Sequence, residues 1–269
     1  MKFFSQLGLG FSTYGNAFSI IFSKSLWWAF LFPLLLLIAL FAAGFSSIEI
    51  LTDWVKTEIF QATNIENATF WGSGILKSVM TGVLWIIFKF IFFFLFSYFG
   101  GFIILIIMSP VLAFLSEKTE KISTEKNYPF NINQLMRDVV RGVLIAIRNL
   151  LIQLSIVLGL LLLSIIPVLG WLIAIISPII IFFITSYFYG FSFMDYSNER
   201  RKRNISQSVR ILRKYKWVVI GNGMVLSLLI IMPLCGIGTL LAPFAAIVSV
   251  VAGAVAMEKI NELENAAIS

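Results

Sequence analysis

A chain of 269 residues that is 59% hydrophobic and only 12% charged, with a mean hydropathy of +0.97, is no water-soluble globule. It falls among polytopic helical membrane proteins. It has no His and one Cys, Cys235, which removes the commonest general base and metal ligand and rules out an intrachain disulfide or a cysteine metal site. Long apolar runs without polar alternation exclude a β-barrel, so the expected fold class is all-α integral membrane protein, a single polytopic domain over residues 1–269.

Residues 1–25 open with Phe4, Leu7, Phe11, Tyr14, Phe18 and Ile21 spaced by three and four. That spacing makes one helix face and predicts an amphipathic helix, lying in the interface or packed on the bundle. The first strongly apolar run starts near Leu26, too far in and too long for the h-region of a signal peptide. Residues 26–48 form a first span, with Trp27 and Trp28 suited to headgroup depth. A net acidic connection follows, with Glu49, Asp53, Glu58 and Glu66 against Lys56.

The run Ile75–Leu115 carries two charges, Lys77 and Lys89. As a helix at about 1.5 Å per residue it reaches roughly 60 Å, more than the bilayer core of about 30 Å. Gly100-Gly101 and Pro110 interrupt it, and its second half leads into Glu117 and Glu120. Lys89 is expected to snorkel or to face a cavity. Residues 132–193 hold a second long helix and a first broken hairpin. The helix carries Arg137, Asp138, Arg141 and Arg148 before becoming fully apolar to Ile166. The three arginines recur near one helix face. Arg148 is the most embedded, and Glu117 and Glu120 are its candidate partners, since an intramembrane Arg is costly unless paired. These five residues form the expected internal charged network, read either as a structural ion-pair cluster or as a charged vestibule for anions.

Two Pro-broken hairpins then repeat a pattern. Pro167-Val168-Leu169-Gly170 precedes a helix containing Pro178, and Pro233-Leu234-Cys235-Gly236 precedes one containing Pro243 within residues 217–257. Breaks at matching positions of two repeats suit a transport site, with freed helix N-termini facing an anion; the same residues also shape tight hairpins. Between the hairpins, residues 195–216 hold eight basic and two acidic side chains, a net +6 out of the chain's +7. The positive-inside rule makes this loop and the N-terminus cytoplasmic. Its basic charge suits lipid headgroups, and with few interleaved aromatics it does not suit nucleic acid.

No HExxH, GxSxG or P-loop pattern is present, and no Asp or Glu lies at the centre of an apolar span. The chain therefore reads as a non-enzyme with no cofactor.

In order along the chain, Gly10-Phe11, Pro33, Ser109-Pro110, Ser116-Glu117 with Glu120, Arg137-Asp138-Val139-Val140-Arg141, Ile166-Pro167-Val168-Leu169-Gly170, Asp195-Tyr196 and Met232-Pro233-Leu234 resemble the CysZ-type sulfate permeases and the related etoposide-induced ER membrane proteins. The resemblance implies two long membrane helices, two pairs of half-inserted helices, a homo-oligomer, and passage of sulfate across the bacterial inner membrane. One departure stands out. A Gly-Leu-Arg motif tied to sulfate binding precedes the first span in the permeases. Here it reads Ser25-Leu26-Trp27, with Lys24 beside it. Lys24, Ser25 and Trp27 are thus the candidate anion-binding residues, though Trp offers one N–H and no charge. The expected partners are membrane lipids, a small anion such as sulfate and further copies of the chain. The alternative reading is a non-transporting membrane scaffold or lipid-organising protein of the same fold.

Overall fold

The computed structural model describes residues 2–62, 72–124, 132–166, 168–231 and 237–266. These contain nine α-helices and no strand: α1 (Phe3–Ser23), α2 (Leu31–Ala62) entered by a 3₁₀ turn at Trp27–Phe30, α3 (Ser73–Ile107), α4 (Ser109–Thr124), α5 (Ile132–Ser164), α6 (Leu169–Arg200), α7 (Ile205–Lys214), α8 (Lys216–Ile231) and α9 (Ile237–Ala266). Five stretches are long and apolar enough to cross a bilayer: Trp27–Ala62, Ser73–Phe92, Ile132–Ser164, Gly170–Arg200 and Leu240–Ala266. The protein is a multi-pass all-α membrane protein.

Several boundaries differ from the sequence reading. Where a loop is expected from Glu49, α2 continues to Ala62. Asp53 and Lys56 are opposite charges three residues apart, a spacing that supports a helix, and neither they nor Glu49 break one. The long run Ile75–Leu115 is two helices, α3 and α4, parted at Met108. Residues 195–216 are mostly helix rather than loop. α6 runs to Arg200, and α7 starts on a reciprocal cap in which the Gln207 amide donates to Asn204 Oδ1 at 2.8 Å and the Asn204 amide donates to Gln207 Oε1 at 2.9 Å. Such a box satisfies two of the amide groups that a helix start leaves open. The first hairpin break is present: α5 stops at Ser164, and Val168 takes a left-handed φ of 70° before α6. The second break lies outside the described residues.

The chain forms two compact units. Leu34–Gly100 is one; Met1–Pro33 with Gly101–Ser269 is the other. In the smaller unit α2 and α3 lie side by side. A Cβ on Gly44 would stand 2.3 Å from the Phe92 ring, so a larger residue there would have to displace the ring. Lys89 keeps its charge over aromatic faces, 3.3 Å from the Trp85 ring centroid and 5.6 Å from that of Phe45, a cation–π arrangement. None of the residues Ser73–Phe92 is buried within the chain.

In the larger unit α8 crosses α6 at backbone contact. A Cβ on Gly190 would lie 1.9 Å from the Val219 carbonyl oxygen, and one on Gly223 would lie 1.8 Å from that of Ser186. Close backbone approach through small residues is how helices gain packing in lipid, where apolar surface alone gives no drive to associate. α9 lies in the middle of this unit, packed by α1, α4, α6 and α8. Its residues Ala246, Val250, Ala254 and Met257 are buried.

α1 corrects the predicted face. Tyr14 and Ile21 do turn inward, alongside Gln6, Gly10, Thr13 and Ala17. Phe4, Phe11, Phe18 and Phe22 turn outward. The protein-facing side is small and polar, and the aromatic side faces out. The Tyr14 hydroxyl donates to the Asn222 carbonyl and lies 2.8 Å from Ser249 Oγ. Burial pushes this hydroxyl above the ordinary phenol range, so it stays a neutral donor.

Candidate functional site

The predicted anion-binding residues occupy the turn between α1 and the 3₁₀ segment. The Lys24 amide donates to the Ile20 carbonyl at 3.0 Å and the Leu26 amide to that of Ile21 at 2.9 Å. Ser25 between them takes φ 55°, in the left-handed region where glycine fits without steric cost. Ser25 thus holds a backbone conformation that glycine adopts more readily. Lys24 is exposed, and Trp27 is 57% exposed at the start of the 3₁₀ turn.

The predicted internal network is only partly the one observed. Arg141 is its best-held member. Its Nε and Nη2 grip Asp195 in a two-pronged contact at 2.7 and 3.0 Å. Its Nη2 also donates to Ser208 Oγ at 2.7 Å, and its Nη1 donates to Glu199 and to the Arg203 carbonyl. Glu120 is buried, as expected of a network residue, but its partners are Arg200 at 2.8 Å and Arg201 at 3.0 Å. Arg200 reaches further, to Ser116 Oγ at 2.7 Å and toward Asp138 at 3.6 Å. Forked, charge-assisted contacts of this kind are the strong ones.

Arg148 does not join Glu120, which corrects the predicted pairing. α4 packs against α6 and α9, which brings Glu120 to the last turn of α6. Arg148 lies ten residues beyond Asp138, about 15 Å further along α5. Arg137 is exposed and donates to Gln134 Oε1 at 2.5 Å. Glu117 lies half-buried near Asp138. The residues that complete the cluster, Asp138, Asp195, Glu199, Arg200 and Arg201, were visible in sequence only as charges at a helix start and in a basic segment. Nothing in the pattern tells which of eight basic side chains points inward.

Arg148 opens onto something different. It lines a cavity of about 660 Å³ between α5, α6, α7 and α8, together with Arg213 and Lys216. Its Nη1 donates to Asn149 Oδ1 at 3.2 Å, and its guanidinium carbon stands 5.9 Å from the Phe191 ring centroid. Among the described residues no carboxylate forms an ion pair with Arg148, Arg213 or Lys216. The described residues contain no cluster of His, Cys, Asp or Glu that could hold a metal ion.

The chain thus has a buried network whose acids and bases meet one another, and a cationic cavity with no acid of its own. Both belong to a bundle of apolar helices. No curated protein matches this chain. The family model described as Sulfate transporter CysZ/Etoposide-induced protein 2.4 matches residues 13–256, from within α1 to the buried part of α9. A match over so much of the chain decides the matter: this membrane protein is no enzyme and belongs to the CysZ/etoposide-induced protein 2.4 family of transporters.

Proposed function

We propose that the protein passes a small inorganic anion, with sulfate the first candidate, across the bacterial inner membrane. It works there as a homo-oligomer with its N-terminus and residues 195–216 on the cytoplasmic side. The observation that carries this reading is the turn at Lys24–Trp27. Ser25, which stands at the position of the motif's glycine, has a left-handed backbone that suits glycine; this supports a turn of the same kind here although the motif's arginine is Trp27. Lys24, exposed one residue before it, supplies the cation. Passage is passive or gradient-driven, since the sequence carries no nucleotide-binding motif.

Radiolabelled sulfate uptake into liposomes holding the purified protein tests this against empty liposomes. Uptake above background is expected. Lys24→Ala is expected to reduce it several-fold, in line with an exposed ionic contact worth up to about 1 kcal/mol. Background-level uptake by folded protein would sink the reading. A specific observation favours that second outcome: Trp27 offers the turn one N–H and no charge. In that case the protein is a non-transporting scaffold or lipid-organising factor of the same fold.

A further inference from the structure

We propose that the cavity between α5, α6, α7 and α8 is a binding site for one anionic phospholipid, with its phosphate held by Arg148, Arg213 and Lys216. This goes beyond the transport reading and does not rest on it. Three observations meet here. The first is charge: three cations line one cavity, and among the described residues none has a carboxylate partner. Elsewhere in the same bundle Arg141, Arg200 and Arg201 all have acids. A half-buried guanidinium in a membrane helix is expensive without a counter-charge, so an anion from outside the chain is the natural complement. Tyr187 lines the same cavity as the two arginines.

The second observation is size. At about 660 Å³ the cavity falls in the range of about 300–1,000 Å³ that holds drug-sized ligands. A free oxyanion of five heavy atoms would leave most of it empty.

The third is polarity along the cavity. Arg213 and Lys216 are exposed at the α7–α8 turn, beside Trp217, whose indole suits headgroup depth. Arg148 is half-buried. Beyond it the wall is apolar: Ile152 and Ile156 on α5, Phe183 and Ile184 on α6. Ile156 is eight residues past Arg148, about 12 Å deeper along the helix. The order from charged mouth to apolar depth is the order from headgroup to acyl chain in a lipid.

The test uses the full-length protein, delipidated in detergent, and native mass spectrometry with dioleoylphosphatidylglycerol and dioleoylphosphatidylcholine. Retention of the glycerol lipid is expected to exceed that of the choline lipid by about tenfold or more, since charge-assisted contacts are the strong ones and 1.4 kcal/mol is tenfold. Arg148→Gln is expected to remove most of that preference, and so is the double variant Arg213→Gln with Lys216→Gln. The double variant changes only exposed side chains and gives a reading even if Arg148→Gln fails to fold. Ile156→Trp, which fills the apolar wall and leaves every cation in place, is expected to weaken lipid retention as well. Arg137→Gln, outside the cavity, should change nothing. Equal retention of the two lipids by the native protein would overturn the proposal, as would full preference in the folded cation variants. If excess inorganic sulfate displaces the lipid and Ile156→Trp has no effect, the occupant is a free oxyanion and the lipid assignment falls. Sulfate uptake by Arg148→Gln at the native rate would leave the transport reading standing apart from this site.

Discussion

Arg141 and Arg148 lie two turns apart on α5, yet they live in opposite environments. Arg141 spends its guanidinium on Asp195, Glu199, Ser208 and a backbone carbonyl. Arg148 has an amide oxygen, the face of Phe191 and an open cavity. The first is complete without any other molecule. The second is not, and that asymmetry separates charge that holds the fold together from charge left for a ligand.

The comparison can be broken most directly at Arg141. Arg141→Ala leaves Asp195 buried without its cation and is expected to cost about 3–5 kcal/mol, read as a large fall in the melting temperature in detergent. Glu120→Ala, which removes the nearest acid of both Arg200 and Arg201 and leaves them Asp138 and Glu258 at 3.6 and 3.9 Å, is expected to cost somewhat less. A double-mutant cycle of Arg141→Met with Asp195→Asn should return a coupling energy of about 1–3 kcal/mol; a value near zero would mean the pair is no more than an encounter of neighbours. Arg148→Met is the contrasting case. It orphans no acid and should move stability in delipidated detergent by less than about 1 kcal/mol. If it costs as much as Arg141→Ala, the two regions are alike and the contrast fails. The smallest effect is expected at the exposed pair Lys214–Glu264, 2.6 Å apart, where Lys214→Ala should cost a few tenths of a kcal/mol in the same melts.

The apolar segments, the first hairpin break and the basic stretch were legible because hydropathy and charge are one-dimensional properties. Which face of a helix turns inward was not. In α1 the spacing groups Phe4, Phe11 and Phe18 with Tyr14 and Ile21, but only the last two are buried. In water an apolar face seeks the core; in lipid it has no such preference, and small or hydrogen-bonding residues such as Gly10 and Thr13 decide the contact. The α7 start was readable in principle, since Asn204 and Gln207 stand at the capping-box spacing. The pairing of Glu120 was not readable, because Arg200 and Arg201 are eighty residues away and look like any other members of a basic run. The backbone of the Lys24–Trp27 turn shows the limit most clearly: nothing about Ser25 in the sequence announces a left-handed residue, yet its φ is 55°.

α9 is packed by α1, α4, α6 and α8 and comes last in chain order among the described helices. Its place is prepared by segments synthesised before it, which must wait with their small, polar inward faces uncovered. At translation rates of about 5–20 residues per second that interval lasts several seconds at least. Assembly of the larger unit is therefore a closing event rather than a gradual accretion. A ribosome that stops short of Ile237 leaves α1, α4, α6 and α8 without the helix that packs against all four, a state for the quality-control machinery to remove.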